Sequence, residues 1–284
     1  MSVNLNAPSY LPTLFGSRST GNSLLASLHG FGNPAPAADN PIAALEQAKT
    51  GEAQQVARLA ADPRVKRDLA RFTQALTAAE TPAQLLANPI ALRVLLTANG
   101  LGDQTGDTAL ATRALLSNPE RSDAPVNRLA DPRWLSVIAI YAFATKGLSV
   151  LHNPAAIAVL AHGYAEALWR TNLDQTTPGL ANALDFQQRA STITNVDQVL
   201  GDPTFRAVLT TALGIPEQIA SQTPTAREQA ISTRIDLTKF KDPTFVAQLT
   251  ERYLIAARRA ASQISATAAP DRATQAVRPE ALAV

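Results

Sequence analysis

The chain has 284 residues, 46% hydrophobic and 17% charged, and its 25 Lys and Arg nearly balance 23 Asp and Glu for a net charge of +2. That balance excludes bulk disorder and argues against a strongly electrostatic partner such as nucleic acid. With no cysteine, disulfide scaffolds, thiolate zinc sites and cysteine nucleophiles are excluded as well.

Residues 1–40 mix Ser, Asn, Gly and Pro and close on Asn33-Pro-Ala-Pro36, so a disordered N-terminal tail is expected there. No basic stretch followed by an apolar one opens the chain, and Ser23-Leu-Leu-Ala-Ser-Leu28 is cut short by His29-Gly30. Neither a Sec signal nor a membrane anchor is read, and no apolar run approaches the roughly 20 residues of a membrane span. From residue 41 helix dominates the expectation. Alanine, the best helix former, fills 54 positions, and no alternating β-branched run or tight-hairpin dipeptide is found.

The starts of those helices are written as Asx-Pro pairs: Asn40-Pro41, Asp62-Pro63, Asn88-Pro89, Asn118-Pro119, Asp131-Pro132, Asn153-Pro154, Asp202-Pro203 and Asp242-Pro243. An Asp or Asn side chain accepts a hydrogen bond from the free first-turn amides. Proline at the first helical position has no amide to leave unpaired. Most of these pairs therefore predict a helix. Trp134–Leu148 is apolar nearly all round and predicts a long central helix; 154–173 predicts a linking helix; Phe245, Leu249, Tyr253 and Ala257 fall on one face of another. From about residue 266 a flexible C-terminal tail is expected.

The chain also matches itself. Phe72–Leu101 laid over Phe186–Ile215, a shift of 114 without a gap, gives 10 identities in 30 pairs, including the helix-starting proline and the helix-stopping glycine. Asp131-Pro-Arg-Trp134 matches Asp242-Pro-Thr-Phe245 at a shift of 111. Two copies of one helical module are expected, near 62–147 and 185–264. The domain reading is thus 1–40 tail, 41–150 first module, 151–265 linking helix and second module, 266–284 tail. The fold class is all-α, a multi-helical bundle built from two duplicated modules.

Three stretches carry a family resemblance: Ala98-Asn-Gly-Leu101, Asn127-Arg-Leu-Ala-Asp-Pro-Arg-Trp134 and Tyr141-Ala-Phe-Ala144. The chain resembles an uncharacterised family of bacterial helical proteins, chiefly alphaproteobacterial, whose repeats carry an "aFGL" turn and an "LaDpRY" helix start. It departs at Asn99, where an aromatic is usual, and at Trp134, where tyrosine is usual. The second copy, Lys239-Phe-Lys-Asp-Pro-Thr-Phe245, is degraded. The resemblance implies a multi-helical fold and, because such proteins are commonly found with flagellar genes, a flagellar association. It supplies no catalytic residue.

The residues themselves nominate no catalytic, cofactor-binding or metal-binding position. His29, His152 and His162 lack a further ligand at metal-site spacing. Gly100-Leu-Gly-Asp-Gln-Thr-Gly106 follows a helix rather than a strand, so it reads as a helix C-cap and connecting loop and not a phosphate cradle. Asp62, Asp131, Asp202 and Asp242 recur, and capping accounts for them. Arg64 and Arg133, and the basic stretches Arg64-Val-Lys-Arg67 and Arg252–Arg259, read as solvated or locally paired.

The expectation is a non-enzymatic structural or protein-interaction protein without cofactor, nucleic-acid partner or membrane insertion. It is associated with flagellar assembly or export and is cytoplasmic or flagellum-associated. The alternative is a cytoplasmic helical adaptor or chaperone-like module that binds a partner helix. Any partner surface is expected as a groove at the seam between the repeats, near the aromatics of Trp134–Phe143 and Tyr164–Trp169. The sequence sets no oligomeric state.

Overall fold

The computed structural model describes residues 40–215 and 222–267. Residues 1–39 and 268–284, where tails are expected, lie outside the described residues. Within them every regular element is helical. Helices α1 (Pro41–Ala60), α2 (Pro63–Ala78), α3 (Pro82–Ala87) and α4 (Pro89–Ala98) lead through a 3-10 turn into α5 (Thr108–Leu115). A second 3-10 turn, Pro125–Arg128, precedes α6 (Arg133–Tyr141) and the single turn α7 (Phe143–Lys146). Then come α8 (Pro154–Thr176), α9 (Leu180–Arg189), α10 (Val196–Gly201), α11 (Pro203–Ala212), α12 (Pro224–Ser232) and α13 (Pro243–Thr267).

Six of the eight Asx-Pro pairs begin a helix at the proline, as their capping chemistry predicts. Asp131-Pro132 starts α6 one residue late, at Arg133. Asn118-Pro119 makes only a turn, with Asn118 Oδ1 accepting the Glu120 amide at 3.0 Å. The polar stretch after it has no apolar face to bury.

The two matching segments share their local structure. At the shift of 114, α3 corresponds to α10 and α4 to α11, residue for residue at both ends. Gln84 Oε1 accepts the Thr81 and Glu80 amides, and Gln198 Oε1 accepts the Thr194 amide. Gly100 (φ 75°) and Gly214 (φ 62°) close the two helices, with Leu101 N–H donating to Leu96 O and Ile215 N–H to Thr210 O.

The expected long helix over 134–148 is broken. Ala142 takes a left-handed conformation (φ 46°, ψ 44°) and ends α6 after nine residues. In an unbroken helix Tyr141 and Phe143 would point about 200° apart. With Ala142 left-handed, both rings are buried and stacked, centroids 5.3 Å apart and planes within 12°. The outer face of α6 leaves Leu135 and Ile140 exposed.

The central helix is instead α8. Its Leu160 and Tyr164 join one apolar cluster, with Phe72, Leu95 and Trp134; its Ala165 and Trp169 join a second, with Phe186, Phe205 and Tyr253. Helix α1 buries Leu45, Ala48 and Val56 in the second cluster, far along the chain from its sequence neighbours. Two glycines set the backbone approaches. A Cβ on Gly163 would lie 2.5 Å from Ala98 O, where α8 crosses α4; one on Gly201 would lie 1.9 Å from Ala130 O. The two expected modules, 62–147 and 185–264, therefore touch backbone to backbone where Gly201 meets Ala130.

Candidate functional site

The residues that carry the family resemblance meet in one clasp. Arg133 sits on the first turn of α6 and reaches back to the turn after α4. Its Nη1 donates to Gly100 O at 2.5 Å and its Nη2 to Asp103 Oδ2 at 2.8 Å. Its Nε and Nη2 both engage Asp131, whose Oδ1 also accepts the Arg133 amide at 2.9 Å. Burial works against the Arg133 charge, but the two carboxylates outweigh it and hold the group firmly protonated. Burial likewise works to raise the Asp103 carboxyl, yet the hydrogen bonds from Arg133 and Gln104 leave it below its ordinary value. Asn99 Nδ2 donates to Tyr141 Oη at 2.9 Å, tying the same turn to the stacked rings. All three guanidinium nitrogens of Arg133 donate within this cluster, so the signature ties the turn after α4 to the start of α6.

A second charged network joins α1, α8, α9 and the start of α11. Arg170 of α8 contacts Glu166, Asp185 and, at 3.8 Å, Glu52 of α1, and donates to Gln188 Oε1. Arg189 binds Asp185 and, at 2.6 Å, the fully buried Asp202, and lies 4.9 Å over the Phe205 ring. Asp202 is doubly committed, since its Oδ1 also caps α11 through the Thr204 and Phe205 amides. Burial raises the Glu52 carboxyl pKa, Arg170 opposes it, and the nearby Glu166 charge adds to it. Sequence reasoning missed this network as a unit, although Glu166–Arg170 and Asp185–Arg189 are legible as i, i+4 pairs.

Neither of the two described histidines enters a site. His152 is exposed ahead of the α8 cap; His162 is exposed with Nδ1 3.8 Å from Glu166 Oε2; His29 lies outside the described residues. Among the described residues no group of three or more His, Asp or Glu could hold a metal ion. The glycine cluster 100–106 forms the α4 C-cap and a 3-10 turn. Asp62, Asp202 and Asp242 each accept a first-turn amide of the helix that follows.

What the structure does open is a groove of about 780 Å³ along α1 and α8. Its floor is apolar and small: Ala48, Gly51, Leu173 and the buried Trp169 and Leu180. Its rim carries exposed, uncharged amides, Gln47, Gln54 and Asn172. Arg58 and Asp62, where α1 passes into α2, supply its charged groups. The groove lies away from the seam between the matching segments, where it was expected. A hollow at the other end of α1, edged by Pro41 and Ser262, shares Thr176 and Thr177 with it. From Ala44 to Arg58 it runs about 21 Å along the helix.

The described residues thus define an all-α protein with two apolar clusters on a shared central helix and an open groove between α1 and α8. The chain belongs to the family "Protein of unknown function (DUF1217)", which matches residues 98–246. That match takes in the whole Arg133 clasp and the whole of the second matching segment, Phe186–Ile215. A crystal structure of a protein from Agrobacterium tumefaciens, solved by a structural genomics consortium, is similar in fold: TM-score 0.62, 21% identity, over 75% of this chain and 90% of that one. No curated protein matches the chain. Among the described residues no helix is long and apolar enough to cross a membrane.

Proposed function

We propose that this protein is a non-enzymatic binding protein that takes a polypeptide segment of a partner in the groove between α1 and α8. The groove carries the reading. A small apolar floor bordered by side-chain amides suits a peptide, whose own amides need partners and whose apolar side chains need cover. Gly51 sharpens it: a glycine inside a helix costs about 1 kcal/mol, and here a Cβ would meet only Gln55 Cγ at 3.9 Å, so it keeps the groove open rather than letting helices approach.

The proposal extends to flagellar assembly or operation, on the strength of the "aFGL" and "LaDpRY" resemblance. The alternative, a cytoplasmic adaptor or chaperone-like module, would use the same groove. The test is soft-agar swimming by a deletion strain complemented with wild type or with Gly51→Trp, which fills the groove. The deletion should impair swimming, and the filled variant, expressed and folded, should fail to restore it. A freely swimming deletion strain rejects the flagellar part in favour of the adaptor. Full rescue by Gly51→Trp rejects the groove.

A further inference from the structure

We infer that the segment taken by the groove is acidic where it reaches α2, and that Arg64, Arg67 and Arg71 hold its carboxylates; the inference rests on the groove reading above. These three arginines stand at i, i+3 and i+7, one exposed stripe about 10 Å long on the side of α2 away from its buried Val65, Phe72 and Leu76. Arg58, which lines the groove, stands in the last turn of the preceding helix, and the exposed Lys66 lies on another face of α2. Among the described residues none of these five cations is ion-paired. The nearby carboxylates are already committed: Asp68 accepts from Arg93 at 3.0 Å and from Tyr164 Oη at 2.8 Å, and Asp62 accepts the Arg64 amide at 2.7 Å.

The stripe is also badly placed for the helix itself. Like charges three and four residues apart repel, and cations at a helix N-terminus oppose its dipole. Three of the five fall on the first turns of α2, which has no acidic residue in its first turn. At the shift of 114 the three positions fall on Pro178, Ala181 and Asp185, ahead of the matching segment, where helix α9 begins only at Leu180 and carries no such stripe. Stability therefore gives no reason for the stripe, while an acidic occupant does. Four of the five cations are arginine, whose planar fork pairs a carboxylate through two parallel bonds. A polypeptide is favoured over nucleic acid because the adjoining groove is uncharged along most of its length and the whole chain carries only +2.

The test is fluorescence anisotropy with the full chain and a labelled helical peptide of about 18 residues carrying Glu at i, i+3 and i+7. Its Gln and Lys counterparts and a duplex DNA of about 20 base pairs serve as comparisons. At about 50 mM salt the Glu peptide should bind at least about tenfold tighter than the Gln peptide, and added salt should shrink the difference. The triple variant Arg64→Glu, Arg67→Glu, Arg71→Glu should lose that preference and take the Lys peptide instead. An unchanged Glu preference in the triple variant overturns the inference, as does DNA binding more tightly than the Glu peptide. If Glu and Gln peptides bind wild type alike and Gly51→Trp releases both, the groove stands and its acidic occupant is wrong. If Gly51→Trp leaves Glu-peptide binding untouched, the groove reading fails while the stripe remains a carboxylate-binding surface.

Discussion

Arg133 shows how one side chain can hold a family signature together. It joins the turn after α4 to the start of α6; its loss takes this donor from Gly100 O and leaves Asp103 with Gln104 and Asp131 with the Arg133 amide. Arg133→Ala should therefore cost about 2–3 kcal/mol and Asp131→Ala about 1–3 kcal/mol, seen as a lower urea midpoint. Arg133→Lys should recover little, because an ammonium cannot bridge three acceptors in this fork. An unmoved midpoint in Asp131→Ala would free the Asp-Pro-Arg motif for a role outside the fold. Glu52 behaves oppositely. Burial raises its pKa above the ordinary 4.5, so its contribution is unfavourable once the folded group ionises. Glu52→Gln should accordingly stabilise the protein at pH 7. That gain should shrink as pH falls through the raised folded value and vanish below 4.5, where both states are protonated. Parallel denaturation of the two proteins from pH 7 to 4 checks it.

At the scale of the element, what is local was legible and what is imposed from a distance was not. Six helix starts follow from Asx-Pro chemistry confined to four residues. The break at Ala142 could not be read, because no residue within the stretch demands it. It accompanies the stacking of Tyr141 on Phe143 and the hydrogen bond of Tyr141 with Asn99, a contact across 42 residues. A left-handed alanine costs about 1–2 kcal/mol, so Ala142→Gly should raise the melting temperature, by about 0.5–1 kcal/mol of stability. The glycines divide in the same way. Gly163→Ala and Gly201→Ala should each destabilise by about 2 kcal/mol or more despite alanine's better helix propensity, because carbonyl oxygens at 2.5 and 1.9 Å must retreat. Gly51→Ala, with open space, should stabilise by about 0.5–1 kcal/mol. Thermal melts of the three variants separate packing glycines from the groove glycine. The groove itself was illegible, since it depends on α1 packing against a cluster whose other members follow it by more than a hundred residues.

Across the whole molecule α8 gives buried residues to both apolar clusters, a central place expected from the sequence for Trp134–Leu148. With Leu160 and Tyr164 in one cluster and Ala165 and Trp169 in the other, neither can open without stripping a face of this helix. Native-state hydrogen exchange should therefore give the slowest amides of α4 and α11 the same opening free energy. Two distinct values would show that the clusters unfold separately. The pairing of α1 with α13 has a mechanical consequence. Pro41 and Ser262 edge one hollow, and the two helices pack directly against each other. A pull applied between the start of α1 and the end of α13, which meet at that hollow, peels the two helices apart from that end. Until that junction opens, the described helices between α1 and α13 carry no tension. The cluster around Trp134 would hang slack beside the load path, and the junction alone would set the rupture force.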